Sequence, residues 1–390
     1  MERIVMMIDR RTFLGGWIAA IAVVLMTVGV TAPVQAEGTA RNIVLIIGDG
    51  CGIAQMQAAS LYQHQREDGL FMQTLPHRGM IQTASADDEV TDSAASATAY
   101  ATGHRVNNGV ISMAIPGSGE PLPTILEIVR QRGMRTGLVT NDAITGATPA
   151  AFAAHVVSRK LEPQIAQQYL LPTGPDVIMG GRHKRLDNEA LVRSGFTVIT
   201  RPSELQAIPS TAGRVAAMFG EGVFPYRWHE ANAGEGKNRY GGVYPELATM
   251  TRAALNHLSA AAGEKGFVLI VEAALIDKSG HANYTRGDED RLRVNIFETL
   301  ALDAAVKEAV TWASTRGDTL VLVTADHETG GLTVVGRPGA DGWPTGTWKH
   351  TNHTAADVAI FGIGPGAERI EPVMMNTKVF GLMMRALDGK

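Results

Sequence analysis

Five short apolar runs, each closing on glycine or a polar residue, limit what this chain can become. They are NIVLIIGDG (42–50), RTGLVT (135–140), GFVLIVEAA (266–274), TLVLVTADH (319–327) and VAIFGIG (358–364). Each is too short for a helix and apolar on both faces, the pattern of a strand buried from two sides. Segments with helical periodicity lie between them, at 53–65, 122–132, 245–262 and 289–313. Strands buried on both faces need a helical layer above and below. The expected fold is therefore α/β, with a large central, mostly parallel sheet sandwiched by helices. With 390 residues, 45% of them apolar, the chain can fill such a core.

Residues 1–36 stand apart from this pattern. Arg10 and Arg11 precede Thr-Phe-Leu, an apolar run covers Trp17–Val30, and APVQAEG follows with Val34 and Ala36 around a cleavage point. That order reads as an export signal of the twin-arginine type, which carries folded proteins, and predicts a periplasmic or extracellular protein. An uncleaved membrane anchor is the alternative, although the run is shorter than the ~20 residues that a span needs. Residues 37–390 then form a single domain. Within it, 180–245 is rich in charge and glycine and reads as a surface insertion, with HEANAGEGKNRYGG (229–242) as a mobile loop. One cysteine, Cys51, permits no internal disulfide. A net charge of −4 gives no basis for nucleic-acid binding.

Acidic residues and histidines collect where the strands run out, which is where open parallel sheets build their sites. Singly, each has an ordinary explanation. Asp49 in GDG suits a tight turn. Glu272 interrupts an apolar strand and needs a partner, an ion pair or a metal. Asp277 and His281 stand four apart, on one face of a helical turn, as a surface pair or a pair of ligands. Asp326 and His327 are adjacent and converge only at a strand end. His350 and His353 follow in WKHTNHTAADV. Together, several carboxylates at one sheet edge would repel one another unless cations neutralised them. Mixed Asp/His sets suit zinc, and all-oxygen sets suit magnesium. A hydrolytic site with two neighbouring metals follows.

The segments GDGCG, TDSAASATAYATGHR, ATPAAFAAH, SRK, VEAALIDKSGHAN, VTADHETGG and NHTAADV occur in this order. Together they resemble the alkaline phosphatase family over about residues 42–366. The resemblance implies hydrolysis of phosphate monoesters, with Ser93 as the nucleophile that becomes a phosphoserine. It implies a zinc held by Asp277, His281 and His353, which activates the hydrolytic water. A second zinc on Asp49, Asp326 and His327 would bind the Ser93 oxygen, and a magnesium would sit on Asp49, Thr148 and Glu272. Arg159 would clamp phosphate oxygens, Asp92 would orient Arg159, and Lys278 would add charge beside the phosphate. Asp92 also suits a helix N-cap. Thr148, directly before Pro149, suits an N-cap as well as a ligand. A homodimer is compatible with the resemblance, and no interface is derivable from the sequence.

The chain departs from the family pattern at Gly146, two residues before Thr148, where members commonly carry Asp or His. The magnesium site is expected to hold its ion more weakly, Lys278 to lack a carboxylate partner, and Gly146→Asp to tighten the ion. Asp142 would substitute only through a shift of the loop. A phosphodiesterase of the same superfamily is the alternative activity, usually with threonine as nucleophile. A non-catalytic metal- or phosphate-binding protein on the same fold is the other. Cys51 lacks the sequence context of a sulfatase, and GMRTG (133–137) is too short for a phosphate-cradling P-loop.

Overall fold

A computed structural model describes residues 38–209, 211–231, 242–282 and 287–390. The export-signal segment 1–36 and most of the loop at 229–242 lie outside these described residues. The strands are β1 (Asn42–Gly48), β2 (His77–Gln82), β3 (Arg135–Ala143), β4 (Val177–Arg182), β5 (Phe196–Ile199), β6 (Arg214–Glu221), β7 (Phe267–Ala273), β8 (Thr319–Thr324), β9 (Glu328–Thr329), β10 (Leu332–Gly336), β11 (Thr345–Trp348), β12 (His353–Thr354), β13 (Val358–Ile363) and β14 (Val373–Met375). The helices are α1 (Ile53–His64), α2 (Ser93–Thr102), α3 (Ile125–Gln131), α4 (Ala147–Ala153), α5 (Glu162–Leu170), α6 (Asn188–Arg193), α7 (Arg227–Ala231), α8 (Leu247–Ala262), α9 (Leu275–His281), α10 (Asp288–Ser314) and α11 (Lys378–Asp388).

Ten of these strands form one sheet in the order β14-β2-β13-β8-β1-β7-β3-β4-β6-β5. From β8 to β5 every neighbouring pair is parallel; β13 runs antiparallel to both β8 and β2. Every residue of β1, β7 and β8 is buried, so the centre of the sheet is covered on both faces. Helices α1, α8 and α10 pack together as one group, and α2, α3, α4 and α11 as another. Truncating a fully buried β1 side chain such as Leu45 to alanine would cost about 3 kcal/mol.

The sheet register places the site. Thr140 on β3 is level with Glu272 on β7, Glu272 with Ile47 on β1, and Ile47 with Thr324 on β8. Four parallel strands therefore end in one row. Asp142, Asp49 and Asp326 each stand two residues beyond that row, and Glu272 stands in it. Carboxylates remote in sequence are gathered by strand pairing alone.

The segment 180–245, expected as a surface insertion, is in its described part integral to the sheet. It supplies β6 and β5 as the edge beyond β4, and Val215, Ala216, Ala217 and Phe219 are fully buried. Apolar runs this brief do not stand out in a charge- and glycine-rich context.

Helix α2 forms because its ten residues are alanine, small hydroxyl residues and one tyrosine, closed by Gly103 in the left-handed conformation (φ 77°). All ten are buried. Two hydrogen bonds tie the helix to the exit of β8: Ser96 Oγ donates to Asp326 O at 2.8 Å, and the Tyr100 hydroxyl to Ala325 O at 2.6 Å. They press the N-terminus of α2, and with it Ser93, against the carboxyl ends of the strands.

Candidate active site

Beyond β7 the chain turns at once into α9, which carries Asp277, Lys278 and His281. The i, i+4 spacing brings His281 Nε2 to 3.1 Å from Asp277 Oδ1. The short pairing of β12 with β9 delivers His353, whose Nε2 lies 3.4 Å from the same oxygen and 3.0 Å from His281 Nε2. His353 Nδ1 donates to Thr91 O at 2.9 Å, and His281 Nδ1 donates to Thr351 O. Each ring thereby spends its Nδ1 proton on a carbonyl and turns its Nε2 lone pair toward one point, the orientation that metal-ligating histidines take. Burial alone would raise the Asp277 carboxyl, yet its hydrogen bonds with His281 and His353 hold it well below its ordinary range. His350 does not join this group; its Nδ1 accepts from Asn352 N at 3.3 Å.

The second group surrounds His327, which is fully buried. Its Nε2 lies 3.3 Å from Ser93 Oγ, 3.2 Å from Asp326 Oδ2 and 3.5 Å from Asp49 Oδ1. Asp326 and His327 converge because β8 has ended, and Asp326 Oδ1 accepts from the backbone of both Gly50 and His327. Asp49 Oδ1 and Asp326 Oδ2 are buried and make no hydrogen bond among the described residues. Burial, then the charge of Asp277, pushes Asp326 up to about 7. Burial, then Asp326, Asp277 and Glu272, raises Asp49 well above its ordinary value. Two buried carboxylate oxygens without partners are costly unless a cation meets them. Ligand atoms of Asp49, Asp277 and His327 lie within 4.8 Å of one another, as do those of Asp277, His281 and His353. Both sets have the mixed oxygen and nitrogen donors that suit a divalent metal.

Glu272 and Thr148 form a third cluster. Glu272 Oε2 accepts from Thr140 Oγ1 at 2.5 Å. Burial, then the charge of Asp142, pushes Glu272 up to about 7. Thr148 is fully buried beside Glu272, and its hydroxyl makes no well-aligned hydrogen bond among the described residues. The capping explanation of Thr148 does not hold, because the N-cap of α4 is Gly146 and Thr148 lies inside the helix. Lys278 does have a carboxylate partner, contrary to the expectation drawn from Gly146: its Nζ lies 2.9 Å from Asp142 Oδ2. No large loop shift is needed. The β3–β4 register breaks between Val139 and Ala143, and this irregular strand end sets the Asp142 carboxylate against Lys278.

Asp92 caps α2, with Oδ1 accepting from Ala95 N at 3.0 Å, and its Oδ2 lies 3.0 Å from Arg159 Nη1. Sequence reasoning passed over Thr329, whose hydroxyl donates to Asp277 Oδ1 at 2.5 Å and lies 3.3 Å from His327 Nδ1. Only the motif TADHETGG, two residues past His327, could have drawn attention to it.

The family model for alkaline phosphatase matches residues 40–199 and 180–345. A streptomycin-6-phosphate phosphatase of Streptomyces griseus is 34% identical, over 92% of this chain and 94% of the relative. An alkaline phosphatase of Escherichia coli K12 is 30% identical, over 89% of this chain and 86% of the relative. The crystal structure of alkaline phosphatase from the Antarctic bacterium TAB5 superposes with a TM-score of 0.77 at 26% identity, covering 90% of this chain and all (100%) of that one. A histidine-to-aspartate variant of the TAB5 enzyme was solved with Mg bound in its M3 site. With its family motifs, strand-end carboxylates and buried serine in one place, this chain belongs to the alkaline phosphatase family.

Proposed function

We propose that this enzyme hydrolyses phosphate monoesters to alcohol and inorganic phosphate, with Ser93 as the nucleophile. The observation that carries this reading is the setting of Ser93. It opens α2, its Oγ lies 3.3 Å from His327 Nε2, and the adjoining carboxylates Asp49 and Asp326 each leave a buried oxygen without a partner.

Asp277, His281 and His353 would hold one zinc, and Asp49, Asp326 and His327 a second. Asp49, Thr148 and Glu272, all oxygen donors, would hold magnesium. When bound, such ions neutralise the crowded carboxylates and supply Lewis acidity toward phosphoryl and serine oxygens. The protein does the rest. The first turn of α2 presents free backbone N–H groups and a partial positive charge where a phosphoryl group approaches Ser93. The small side chains after Ser93 leave that approach open. Arg159, steadied by Asp92, has guanidinium N–H groups left for two phosphate oxygens. Lys278 adds a second cation held at a defined place by Asp142. In the first step the Ser93 oxygen bonds to phosphorus and the ester oxygen leaves as the alcohol. In the second, water displaces Ser93 and releases inorganic phosphate. Each displacement inverts phosphorus, so the two together retain configuration.

We further infer that the enzyme is exported by the twin-arginine route and acts outside the cytoplasm; Arg10, Arg11 and the apolar run that follows support this. Among the described residues no helix is long and apolar enough to cross a membrane.

The test is hydrolysis of 4-nitrophenyl phosphate by the metal-loaded enzyme and by Ser93→Ala. The variant is expected to lose at least about a thousandfold in kcat. Full turnover by Ser93→Ala would remove Ser93 as nucleophile.

A further inference from the structure

Gly146 has no conformational reason to be glycine. Its φ is −54° and its ψ 162°, backbone values open to any residue, and it occupies an N-cap where Asp is among the favoured choices. A side chain there would point at a place already filled. A Cβ built on Gly146 would stand 3.5 Å from Asp142 Oδ2 and 3.0 Å from Ala143 O. The Asp142 carboxylate thus lies where a carboxylate on residue 146 would begin.

Three contacts fix it there. Asp142 Oδ1 accepts from Ala143 N at 2.6 Å, Asp142 N donates to Thr140 Oγ1 at 3.0 Å, and Asp142 Oδ2 holds Lys278 Nζ at 2.9 Å. Thr140 in turn donates to Glu272, so Asp142 and Glu272 are linked through one hydroxyl. The irregular end of β3 is accommodated by Gly180 and Gly181 on β4. A Cβ on either would crowd Asp142 O at about 3.1 Å, and on Gly181 it would also meet Gly222 O at 1.6 Å, which excludes a side chain there. Beside Glu272, fully buried Thr148 Oγ1 makes no well-aligned hydrogen bond among the described residues, and neither does buried Asp49 Oδ1. A polar atom in that state points to a ligand that its neighbours do not supply.

We propose that Asp142 supplies the carboxylate that Gly146 withholds, positioning Lys278 and completing with Asp49, Thr148 and Glu272 the acidic pocket for the third cation. Asp142 acts through Lys278 and through the charge of the pocket; it is a positioning residue. This rests on the reading of the site as a metal-dependent hydrolase.

The experiment moves the carboxylate. Zinc-loaded, magnesium-free wild type, Asp142→Ala, Asp142→Asn and the double variant Asp142→Ala/Gly146→Asp are titrated with MgCl2 by calorimetry, with no substrate present. Thermal melting in the same buffer shows that each is folded. Both single variants are expected to bind Mg²⁺ at least about tenfold more weakly than wild type, because a negative charge beside the cation pocket is lost and Lys278 is left uncompensated there. The double variant is expected to recover to within about threefold of wild type, because the same charge returns from the neighbouring position. A purely structural role for Asp142 would lower the melting temperature without this pattern of loss and recovery. Equal Mg²⁺ affinity in wild type and Asp142→Asn overturns the proposal, as does a folded double variant that recovers nothing, or a wild type that takes up no Mg²⁺. No turnover of 4-nitrophenyl phosphate by the metal-loaded wild type would instead overturn the hydrolase reading and leave the magnesium titrations to stand on their own.

Discussion

One oxygen of the Asp92 carboxylate lies 3.0 Å from Arg159 Nη1, while the other accepts the Ala95 amide at 3.0 Å and so caps α2. A single side chain thus fixes both the helix that carries Ser93 and the guanidinium proposed to bind phosphate. The two roles can be separated by substitution. Asparagine keeps a capping oxygen and loses the charge; alanine loses both. Asp92→Asn is therefore expected to melt close to wild type, and Asp92→Ala to lose about 1 kcal/mol of stability. In both, inorganic phosphate should inhibit less strongly, by about threefold or more, because Arg159 is no longer held ready for its ligand. Thermal melts and competitive inhibition by phosphate give the two readouts. Unchanged inhibition in both variants would mean that Asp92 serves the helix alone.

Stripping the metal should make stability strongly pH-dependent. Asp49, Asp326 and Glu272 are all raised, the last two to about 7, first by burial and then by neighbouring carboxylates. For a carboxyl raised in the folded state, the folded protein binds the proton more tightly than the unfolded chain. Such a group costs nothing below its unfolded pKa near 4, and its cost grows until pH passes the folded value. His281 and His353 are raised by Asp277, so what they contribute is also lost as pH climbs above their ordinary value near 6.5. His327, lowered by burial and then by His353, works the other way up to about the same pH and offsets part of the trend. The balance favours the carboxyls. The chelator-treated protein should lose melting temperature steadily from pH 5 to about 7, whereas the metal-loaded protein should show little of this slope. Parallel melting curves for the two forms across that range would refute the idea that cations sit among these carboxylates.

Much of this was legible in the chain because burial leaves a plain trace. β1, β7 and β8 are apolar on both faces, and their ends carry Asp49, Glu272 and Asp326 in the sequence just as in the fold. The Asp277/His281 spacing needed only a helical turn. What escaped notice depends on contacts that no local pattern encodes. Asp142 reaches Lys278 because β3 breaks register against two glycines of β4, a relation between segments some 40 residues apart. β5 is short and β6 is flanked by glycine and charge, so their pairing onto the sheet edge outweighs a composition that reads as surface. Thr148 before Pro149 has the local signature of a cap, yet the helix is capped two residues earlier, by Gly146.

Thr148 offers the sharpest discrimination between structural and chemical roles, because the two predict opposite signs. Its hydroxyl is fully buried beside Glu272 and makes no well-aligned hydrogen bond among the described residues, and the residue lies inside α4, where capping is no longer its task. Valine has the same shape and nearly the same helix propensity. In the metal-free protein Thr148→Val removes a buried hydroxyl that finds no well-aligned partner and is expected to raise stability by about 1 kcal/mol. If the threonine instead capped the helix, the same change would lower stability by about 1 kcal/mol. In the zinc-loaded protein the variant lacks one oxygen donor of the third cation set, and Mg²⁺ affinity should fall by about tenfold. The stabilisation that Mg²⁺ gives wild type should shrink in proportion, since a ligand stabilises the folded state only as far as it binds it. Melting with and without MgCl2 therefore carries both halves of the prediction. A Thr148→Val protein less stable than wild type without metal, and equally stabilised by Mg²⁺, would return this hydroxyl to a purely structural role.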